Sequence, residues 1–566
     1  METPCDFIAE IRARLNASLP EYRPAPSDET IWSWLFDSKE SPLTKYATSE
    51  IKGFTNVTTK ERLSYLDVKA YSTWLSSALS KRCGMVAKDV IVIFSPNTIW
   101  YPVAMFGVSR LGGVISGASP AYNVEEMTIA LKVANAKFLL TVPSGIEVAE
   151  ASAQKSGIPK KNIILLEGKV EGYQNLMQLI HIGKELGISG QVQRFMYSGV
   201  QTGANVCAFL GFTSGTTGIP KAVMISHRNV IAQCLQVQAV TPLDHKKTLA
   251  ALPLYHITGL VHILHLPILL NAEVFMLPSF SLESMLDTVT QNKIEELLLV
   301  PPILIRMVHD PIVDRYNLQH IRRFSTGAAP ISGEIIELLK SKFPQTGFKQ
   351  QYGMTESCSC ITSHTPNTYD YKFAKMVGTA MPSTELKVVD SNDKEVNTGE
   401  PGELLARGPQ ITMGYLENEE ATRQSFTRDG FLRTGDEAII DEHGMVTITD
   451  RIKEMIKVKG IAVAPAELED LLLGHPLVDD VAVVGIPDPF AGERPKAFVV
   501  RKQVDIQQET KLVKELVDYV SSRKARHKWI REVEFLEAIP KSASGKILRK
   551  ELRKRNVKEQ IIKSKL

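Results

Sequence analysis

Short apolar runs alternate with a helical pattern between residues 90 and 142, and this alternation restricts the fold more than any other feature of the chain. Residues 90–94 and 138–142 predict buried strands, and residues 123–134 predict an amphipathic helix between them. Strands joined at this spacing lie parallel in one sheet. We therefore expect an α/β fold.

The chain has 566 residues, too many for one ordinary hydrophobic core, so two or more domains are expected. Residues 384–414 contain short alternating runs separated by Gly, Asn, Asp and Pro, which predicts a mainly antiparallel β portion. From residue 451 the chain is markedly basic and mixes strand and helix patterns. We place a large domain at residues 1–450, a hinge at 451–453 and a small α+β domain at 454–566.

Composition and charge limit the classes of protein to which this chain could belong. The chain is 44% hydrophobic and 23% charged, as in a soluble globular protein, and a net charge of +3 indicates neither nucleic-acid nor membrane affinity. The most apolar run, residues 259–277, is interrupted by His262, His265, Asn271 and Glu273, so we expect a buried element and no membrane span. Six scattered cysteines without a CxxC pair fit a reducing compartment.

The strongest motif is TSGTTGIPK at residues 213–221. Its glycines let the backbone approach an anion, and serial N–H groups, hydroxyls and a closing lysine suit a polyphosphate. It follows the apolar run 206–212, as a loop leaving a strand should, and it is not the Walker pattern. The predicted phosphate-binding residues are Thr213, Ser214, Gly215, Thr216, Thr217, Gly218 and Lys221.

Together with six further motifs, this loop resembles the acyl-adenylate-forming superfamily, whose members include acyl- and aryl-CoA ligases, firefly luciferase and the adenylation domains of peptide synthetases. Within it, 4-coumarate-CoA ligases and peroxisomal fungal-type acyl-CoA ligases are most similar. The resemblance implies a large domain of parallel α/β sheets with a β portion, and a small, mobile C-terminal domain. The further motifs, in the family's order, are STGAAP at 325–330, YGMTE at 352–356, and the segments 402–408, 433–436, 450–453 and 540–546.

The resemblance implies an acid–thiol ligase that converts a carboxylic acid, ATP and coenzyme A into acyl-CoA, AMP and diphosphate through an acyl-adenylate. Lys546 would bridge the carboxylate and the phosphate, cancelling charge as two anions meet. Thr355 would bond the α-phosphate, Glu356 would bind Mg2+, and His256 would line the carboxylate entry.

The nucleoside half of ATP would take different residues. Asp436 and Arg451 would hold the ribose, and Tyr352 could stack on the purine, which lies on the small residues of the 325–330 turn. For thioester formation the small domain would swing about Lys453 and present Lys457, with Gly460 lining a narrow channel for the pantetheine arm. The remaining predicted nucleotide-binding residues are Gly327, Ala328, Ala329 and Gly353.

The sequence leaves the acid and the acceptor open. Residues 257–270 contain no acidic side chain, which favours an uncharged acyl or aryl tail over an amino acid. A zinc site from His256, His262 and His265 is conceivable, although no acidic or thiol ligand accompanies them at metal-site spacing. A luciferase-like oxygenase and a stand-alone module that loads a carrier protein remain alternatives.

The sequence ends in Ser564, Lys565 and Leu566, following a basic segment. This tripeptide is the address read by the peroxisomal import receptor, so we expect that receptor as a partner and the peroxisome as the location.

Overall fold

The computed structural model describes residues 23–26, 28–39, 41–213, 220–459, 461–502, 509–542 and 545–563, with only the backbone for 510 and 557–563. Several predicted residues lie outside these ranges, namely Ser214, Gly215, Thr216, Thr217, Gly218, Gly460, Ser564, Lys565 and Leu566.

Strands occur along the whole of the described chain. In the first half they are β1 (Gly53–Asn56), β2 (Arg62–Ser64), β3 (Val90–Phe94), β4 (Val114–Ala118), β5 (Phe138–Thr141), β6 (Ile163–Leu165), β7 (Gln174–Asn175), β8 (Cys207–Thr213), β9 (Lys221–Ser226), β10 (Lys247–Ala250) and β11 (Glu273–Met276). They continue with β12 (Glu296–Leu298), β13 (Arg323–Thr326), β14 (Gly347–Met354), β15 (Ser359–Ser363), β16 (Thr379–Ala380), β17 (Glu385–Val389), β18 (Gly402–Arg407), β19 (Leu432–Ile440), β20 (Val446–Arg451), β21 (Ile456–Val458), β22 (Ile461–Val463), β23 (Val478–Asp488), β24 (Gly492–Arg501) and β25 (Glu532–Phe535).

Helices cover the faces of the sheets. The α-helices span Tyr65–Cys83, Trp100–Arg110, Val124–Val133, Ile146–Lys155, Leu176–Glu185, Gly187–Gly190, His227–Ala239, Leu266–Leu270, Leu282–Asn292, Pro301–His309, Gly333–Lys342, Glu419–Ser425, Pro465–Leu473, Glu509–Ser521 and Arg549–Lys563.

The largest sheet has the strand order β7-β6-β5-β3-β4-β8-β9. Its strands are parallel except for β9, which pairs antiparallel with β8. The predicted unit of strand, helix and strand is present, and Asn123 begins the helix by accepting the N–H groups of Glu125 and Glu126. The sequence prediction of a parallel sheet in this region is confirmed.

A second sheet, β12-β13-β14-β15-β16, is parallel over its first three strands. Strand β12 ends before Pro301 and Pro302, and the helix Pro301–His309 begins on these prolines, because its first N–H groups need no intrahelical partner.

The β portion and the C-terminal residues form separate sheets. Strands β17 and β18 are antiparallel, as the alternation in residues 384–414 predicted, and β19 and β20 continue the same antiparallel sheet. From Ile456 onward the chain builds a further sheet, β22-β21-β24-β23 with β25, around a core of its own. The chain crosses between these two sheets at residues 451–456, which contain the predicted hinge; the domain boundaries themselves stay a prediction.

The apolar run 259–277 forms a π-helical turn at Gly259–His265, the helix Leu266–Leu270 and strand β11. Every residue of the turn is buried in the protein. Within the described ranges, no helix has both the length and the apolar character needed to cross a bilayer.

Candidate active site

The hairpin of β8 and β9 holds the two ends of the predicted phosphate loop. Thr213 and Lys221 are directly paired across it, so residues 214–220 connect two adjacent strand ends. The Lys221 ammonium lies 4.8 Å from the centre of the Tyr415 ring. The hairpin therefore fixes the loop's one lysine beside an aromatic side chain.

The turn after β14 carries Thr355 and Glu356. A Cβ atom on Gly211 of β8 would lie 2.5 Å from the Thr355 methyl, so only glycine lets this turn sit against the strand that leads into the loop. The Tyr415 hydroxyl donates to Glu356 Oε1 at 2.8 Å, and Thr412 donates twice to the Glu356 carbonyl oxygen. Burial and the nearby Glu356 carboxylate raise the pKa of Tyr415, which keeps it a donor.

Asp436 is the most buried acid of the site, at 4% exposure. It accepts a hydrogen bond of 2.6 Å from the Tyr352 hydroxyl, and the Arg451 guanidinium lies 3.4 Å away across the β19–β20 pair. Burial raises the pKa of Asp436, against the opposing effects of Arg451 and Tyr352. The structure thus brings together three of the predicted nucleoside-binding residues.

A second layer of contacts holds Asp436 in place. Glu403 accepts hydrogen bonds from Arg433 at 2.7 Å and from the Gly435 N–H at 3.2 Å. Thr434 donates to the Leu404 carbonyl at 2.7 Å. The motif at 402–408 therefore anchors the motif at 433–436.

The predicted adenine turn leaves β13 at Gly327. Ala328 has a φ of +70°, a left-handed conformation that costs free energy for an alanine, and a Cβ on Gly327 would lie 2.8 Å from the Gln351 carbonyl oxygen. Gly353 is tighter still, because a Cβ there would overlap the Ser359 carbonyl. Ala329 continues the turn, so the backbone here is close-packed and nearly free of side chains.

Lys546 follows a tight turn at Gly545, whose φ is +83°. A Cβ on Gly545 would lie 2.8 Å from the Pro302 ring, so this C-terminal turn packs on the start of the helix Pro301–His309. Burial, with repulsion from Arg451, lowers the pKa of Lys546 to about 8, while Glu454, Asp436 and Glu356 act in the opposite direction. The lysine therefore lies among the acids that the sequence assigned to nucleotide and metal.

His256, the residue predicted to line the carboxylate entry, lies near Lys546. Burial and the charge of Lys546 lower the pKa of His256, which favours the neutral form of the imidazole. His262 donates to or accepts from Ser359 at 3.1 Å, and His265 bonds the Leu260 carbonyl at 2.6 Å. Across the part of the chain that the structure describes, no group of three His, Cys, Asp or Glu side chains could hold a metal, so the zinc alternative finds no support.

Lys453 and Lys457 are exposed, unlike Lys546 and Asp436. Lys457 is on β21, where Ile456 and Val458 are buried and the lysine points outward. In the described residues, no hydrogen bond or ion pair joins either side chain to Asp436, Glu356 or Lys546. The structure therefore separates the residues predicted for adenylation from those predicted for thioester formation.

Sequence reasoning missed three residues at or near the site. Tyr415 carried no signal, because a single tyrosine after a glycine is common in loops. Lys349 did carry one, since it is a charged residue within a strand-like run that ends at the motif at 352–356, whereas Glu296 lies beside a second acid, Glu295, in a run that ends at two prolines.

Comparison with known proteins identifies the family to which the chain belongs. Residues 44–416 match the family described as AMP-binding enzyme, and residues 467–546 match its C-terminal domain. The chain belongs to the AMP-binding enzyme family. The predicted resemblance and the α/β fold are both confirmed.

Relatives and solved structures of this family cover nearly the whole chain. A 4-coumarate–CoA ligase-like protein of Arabidopsis thaliana is 35% identical over 89% of this chain and 91% of its own length. The peroxisomal OPC-8:0-CoA ligase 1 of the same plant is 33% identical over 88% and 89%. ATP-bound MatB from Rhodopseudomonas palustris superposes with a TM-score of 0.80 at 25% identity, covering 93% of this chain and 99% of that one.

These matches also confirm the predicted enzyme class, an AMP-forming acid–thiol ligase. A small carboxylic acid, ATP and coenzyme A are the substrates that fit an AMP-binding enzyme of this class.

Proposed function

We propose that the protein joins a carboxylic acid to coenzyme A in two steps at one site, and that Lys546 serves only the first. In that step a carboxylate oxygen attacks the α-phosphorus of ATP, the acyl-adenylate forms and diphosphate leaves. The observation that carries the proposal is the position of Lys546, which is partly buried and lies close enough to Asp436, Glu356 and His256 to interact with them electrostatically. A cation in a water-poor site is best placed to offset the charge of two approaching anions.

The first step also needs the nucleotide to be held still. We assign the ribose to Asp436 and Arg451, and the purine to the bare backbone at Gly327, Ala328 and Ala329. Lys221 and the loop that begins at Thr213 take the β- and γ-phosphates, and Thr355 takes the α-phosphate. The support is spatial, because the hairpin β8–β9 and the turn after β14 meet at Gly211.

Glu356 fits a bound Mg2+ ion. One of its carboxylate oxygens is occupied by Tyr415, and the other accepts no hydrogen bond from the described residues, so a hard anionic oxygen is available beside the phosphate site. When bound, Mg2+ would neutralise charge on the departing diphosphate. In this chain Tyr415 orients the carboxylate that would hold it.

In the second step the thiol sulfur of coenzyme A attacks the acyl carbon, AMP leaves, and the thiol proton passes to water. We assign this step to the face that carries Lys457 and Gly460, brought in by rotation about Lys453. Lys457 is exposed in this structure, which supports a second arrangement of the small domain in which Lys457 faces the site during thioester formation.

The acid is an acyl or aryl carboxylic acid, and the location is the peroxisome. One relative is peroxisomal by name, and Ser564, Lys565 and Leu566 match the import tripeptide. The deciding experiment supplies short, medium-chain, branched and aromatic acids with ATP, Mg2+ and coenzyme A, and detects thioester and diphosphate. Thioester formation without light supports the proposal. Diphosphate release with acyl transfer only to a carrier protein, or light emission in oxygen, would refute it.

A further inference from the structure

A cluster of buried charges lies directly beyond the proposed hinge, and the two steps assigned above do not use it. Arg549 is at its centre, with a side chain that is only 10% exposed. Its guanidinium donates to both carboxylate oxygens of Glu469 at 2.7 Å and lies 3.0 Å from Glu454. It also donates to the Val483 carbonyl oxygen at 3.3 Å. One arginine therefore joins the turn after the hinge, the helix Pro465–Leu473 and strand β23.

Glu469 alone is a sufficient partner for this arginine. It is buried, it forms a bidentate pair with Arg549, and it also accepts the Val483 N–H at 2.7 Å. Burial raises the pKa of Glu469 to about 7 against the effect of Arg549, and Asp450 and Glu454 add to the rise. The second acid, Glu454, therefore weakens the pair that it joins. A charge placed at such a cost indicates a function.

Glu454 lies in a tight turn that leads out of the nucleotide site. Its N–H donates to the Arg451 carbonyl oxygen at 2.9 Å, and the Ile452 N–H donates to the Gly435 carbonyl oxygen at 3.0 Å. Gly435 directly precedes Asp436, to which we assign the ribose. Backbone hydrogen bonds thus fix this turn on its nucleotide side, and Arg549 fixes it on the other side.

Arg549 also lies three residues after Lys546. The segment that carries the lysine is a closed turn, in which the Ser542 N–H donates to the Lys546 carbonyl oxygen at 2.8 Å. The Leu548 N–H donates to the Pro540 carbonyl oxygen at 2.9 Å and closes the same turn further out. Lys546 and Glu454 are therefore both held in place from Arg549, one through the backbone and one through an ion pair.

The surroundings of Lys546 differ on the two sides of the hinge. Among the described residues, the charged and titratable groups that act on the lysine or respond to it are Arg451, Glu454, Asp436, Glu356 and His256. Glu454 is the acid with the largest effect on Lys546. It is also the one acid of this group that follows Lys453 in the sequence. The proposed rotation about Lys453 would separate Lys546 from Asp436 and Glu356 but leave it beside Glu454.

We propose that Glu454 is a positioning residue for adenylation: held by Arg549, it is the counterion that moves with Lys546 and fixes where the lysine enters the nucleotide site. The inference rests on the proposed function, because it takes Lys546 as the cation of the first step. Glu454 acts through the lysine and makes no contact of its own with ATP or the acid.

The variant Glu454→Gln tests the inference, because glutamine can still accept a hydrogen bond from Arg549 but carries no charge. We expect kcat/KM for ATP in diphosphate exchange to fall by at least about tenfold. Thioester formation from pre-made acyl-adenylate should stay within about twofold of the wild-type rate, because Lys546 serves only the first step. Both assays use the acid that gives the most thioester with the wild-type enzyme.

The pH profile of diphosphate exchange is a readout that a purely structural role would not move. Burial and Arg451 lower the pKa of Lys546 to about 8, and Glu454 opposes them. Loss of this anion disfavours the lysine cation, so the alkaline fall in exchange should begin at a lower pH in Glu454→Gln. Glu454→Asp keeps the charge and should return the fall towards its wild-type position.

Glu467→Gln is the matched control. Glu467 lies on the helix Pro465–Leu473 and accepts hydrogen bonds from Lys524 at 2.8 Å and Lys528 at 2.6 Å, so it too is a partly exposed acid in ion pairs. This variant should leave both half-reactions and the pH profile unchanged.

Unchanged exchange in Glu454→Gln would overturn the inference. An equal fall in both half-reactions, or a fall in exchange with the alkaline limb unmoved, would overturn it as well. Lys546→Ala, assayed beside it, separates this failure from failure of the proposed function. If Lys546→Ala slows exchange and Glu454→Gln does not, only the inference fails; if Lys546→Ala leaves exchange intact, the proposed role of Lys546 fails and the inference with it.

Discussion

Lys546 and Asp436 are two ionisable side chains that the fold holds where charge is disfavoured. Burial lowers the pKa of the lysine and raises the pKa of the aspartate. Each is partly stabilised by the other, since Asp436 is one of the anions that act on Lys546. In the free enzyme, Lys546 therefore titrates near physiological pH. Bound ATP would bring further negative charge to this point and keep the lysine protonated.

This lysine predicts a pH dependence with a definite sign. The cation is needed for adenylation and is lost as pH rises through about 8, so kcat/KM for ATP in diphosphate exchange should fall above that pH. One pH unit higher, roughly a tenth of the enzyme remains protonated. In Lys546→Arg, whose guanidinium stays charged, this alkaline fall should disappear even if the rate is lower. A fall at the same pH in the arginine variant would assign it to another group.

The ribose contact assigned to Asp436 leads to a separate prediction about nucleotide affinity. Asp436→Ala should raise the apparent KM for ATP by about one to three orders of magnitude, because a charge-assisted contact to the ribose is lost. Tyr352→Phe removes only the hydrogen bond at 2.6 Å to this carboxylate and should have a smaller effect. If Asp436→Ala raised the KM of the acid and left that of ATP unchanged, the ribose assignment would be wrong.

At the scale of secondary-structure elements, the site is built where strands end and turns begin. β8, β13 and β14 lead into the phosphate loop, the adenine turn and the turn of Thr355. Glycine sets the distances between these turns, because Gly211 and Gly545 each lie where a Cβ would clash with a neighbouring element.

Gly211→Ala should therefore slow adenylation by pushing the Thr355 turn away from β8. The new Cβ would lie 2.5 Å from the Thr355 Cγ2 methyl. The double variant Gly211→Ala/Thr355→Ser removes that methyl, keeps the hydroxyl and should recover most of the activity in diphosphate exchange. Thr355→Ser alone is the matched control. Failure of the double variant to recover would mean that Gly211 acts through something other than Thr355.

Candidate residues of the site could be named from the sequence because the motifs that resemble those of the family are local. Asp436, Lys546 and the turn of Thr355 and Glu356 each occur within one such short segment. The pairing of the buried Glu296 with Arg323 and Lys349, across β12, β13 and β14, could not be predicted in the same way. It depends on the register of three strands that are separated by long stretches of chain, and each strand alone shows one charged residue of unknown direction.

At the scale of the whole molecule, one C-terminal turn reaches into the larger part of the protein. Gly545 packs on Pro302, Asp470 accepts the Gly333 N–H at 2.8 Å, and Asp450 accepts the Ala466 N–H at 3.0 Å. Contacts made through a turn and backbone N–H groups are compatible with the proposed rotation about Lys453. The adenylation arrangement would then be one of two states.

Location is also a property of the whole chain. Removal of Ser564, Lys565 and Leu566 should leave thioester formation in vitro unchanged and move the protein in cells from punctate organelles to diffuse cytosol. Fluorescence microscopy of full-length and shortened protein, tagged at the N-terminus, measures this directly. Punctate distribution of the shortened protein would show that another signal or a partner directs import.

The division of work between two lysines is the central claim, and separate assays of the two half-reactions test it most directly. Lys546→Ala should slow diphosphate exchange by about two to three orders of magnitude while thioester formation from pre-made acyl-adenylate largely survives. Lys457→Ala should show the reverse, with exchange intact and thioester formation slow. Equal loss of both half-reactions in either variant would contradict the account.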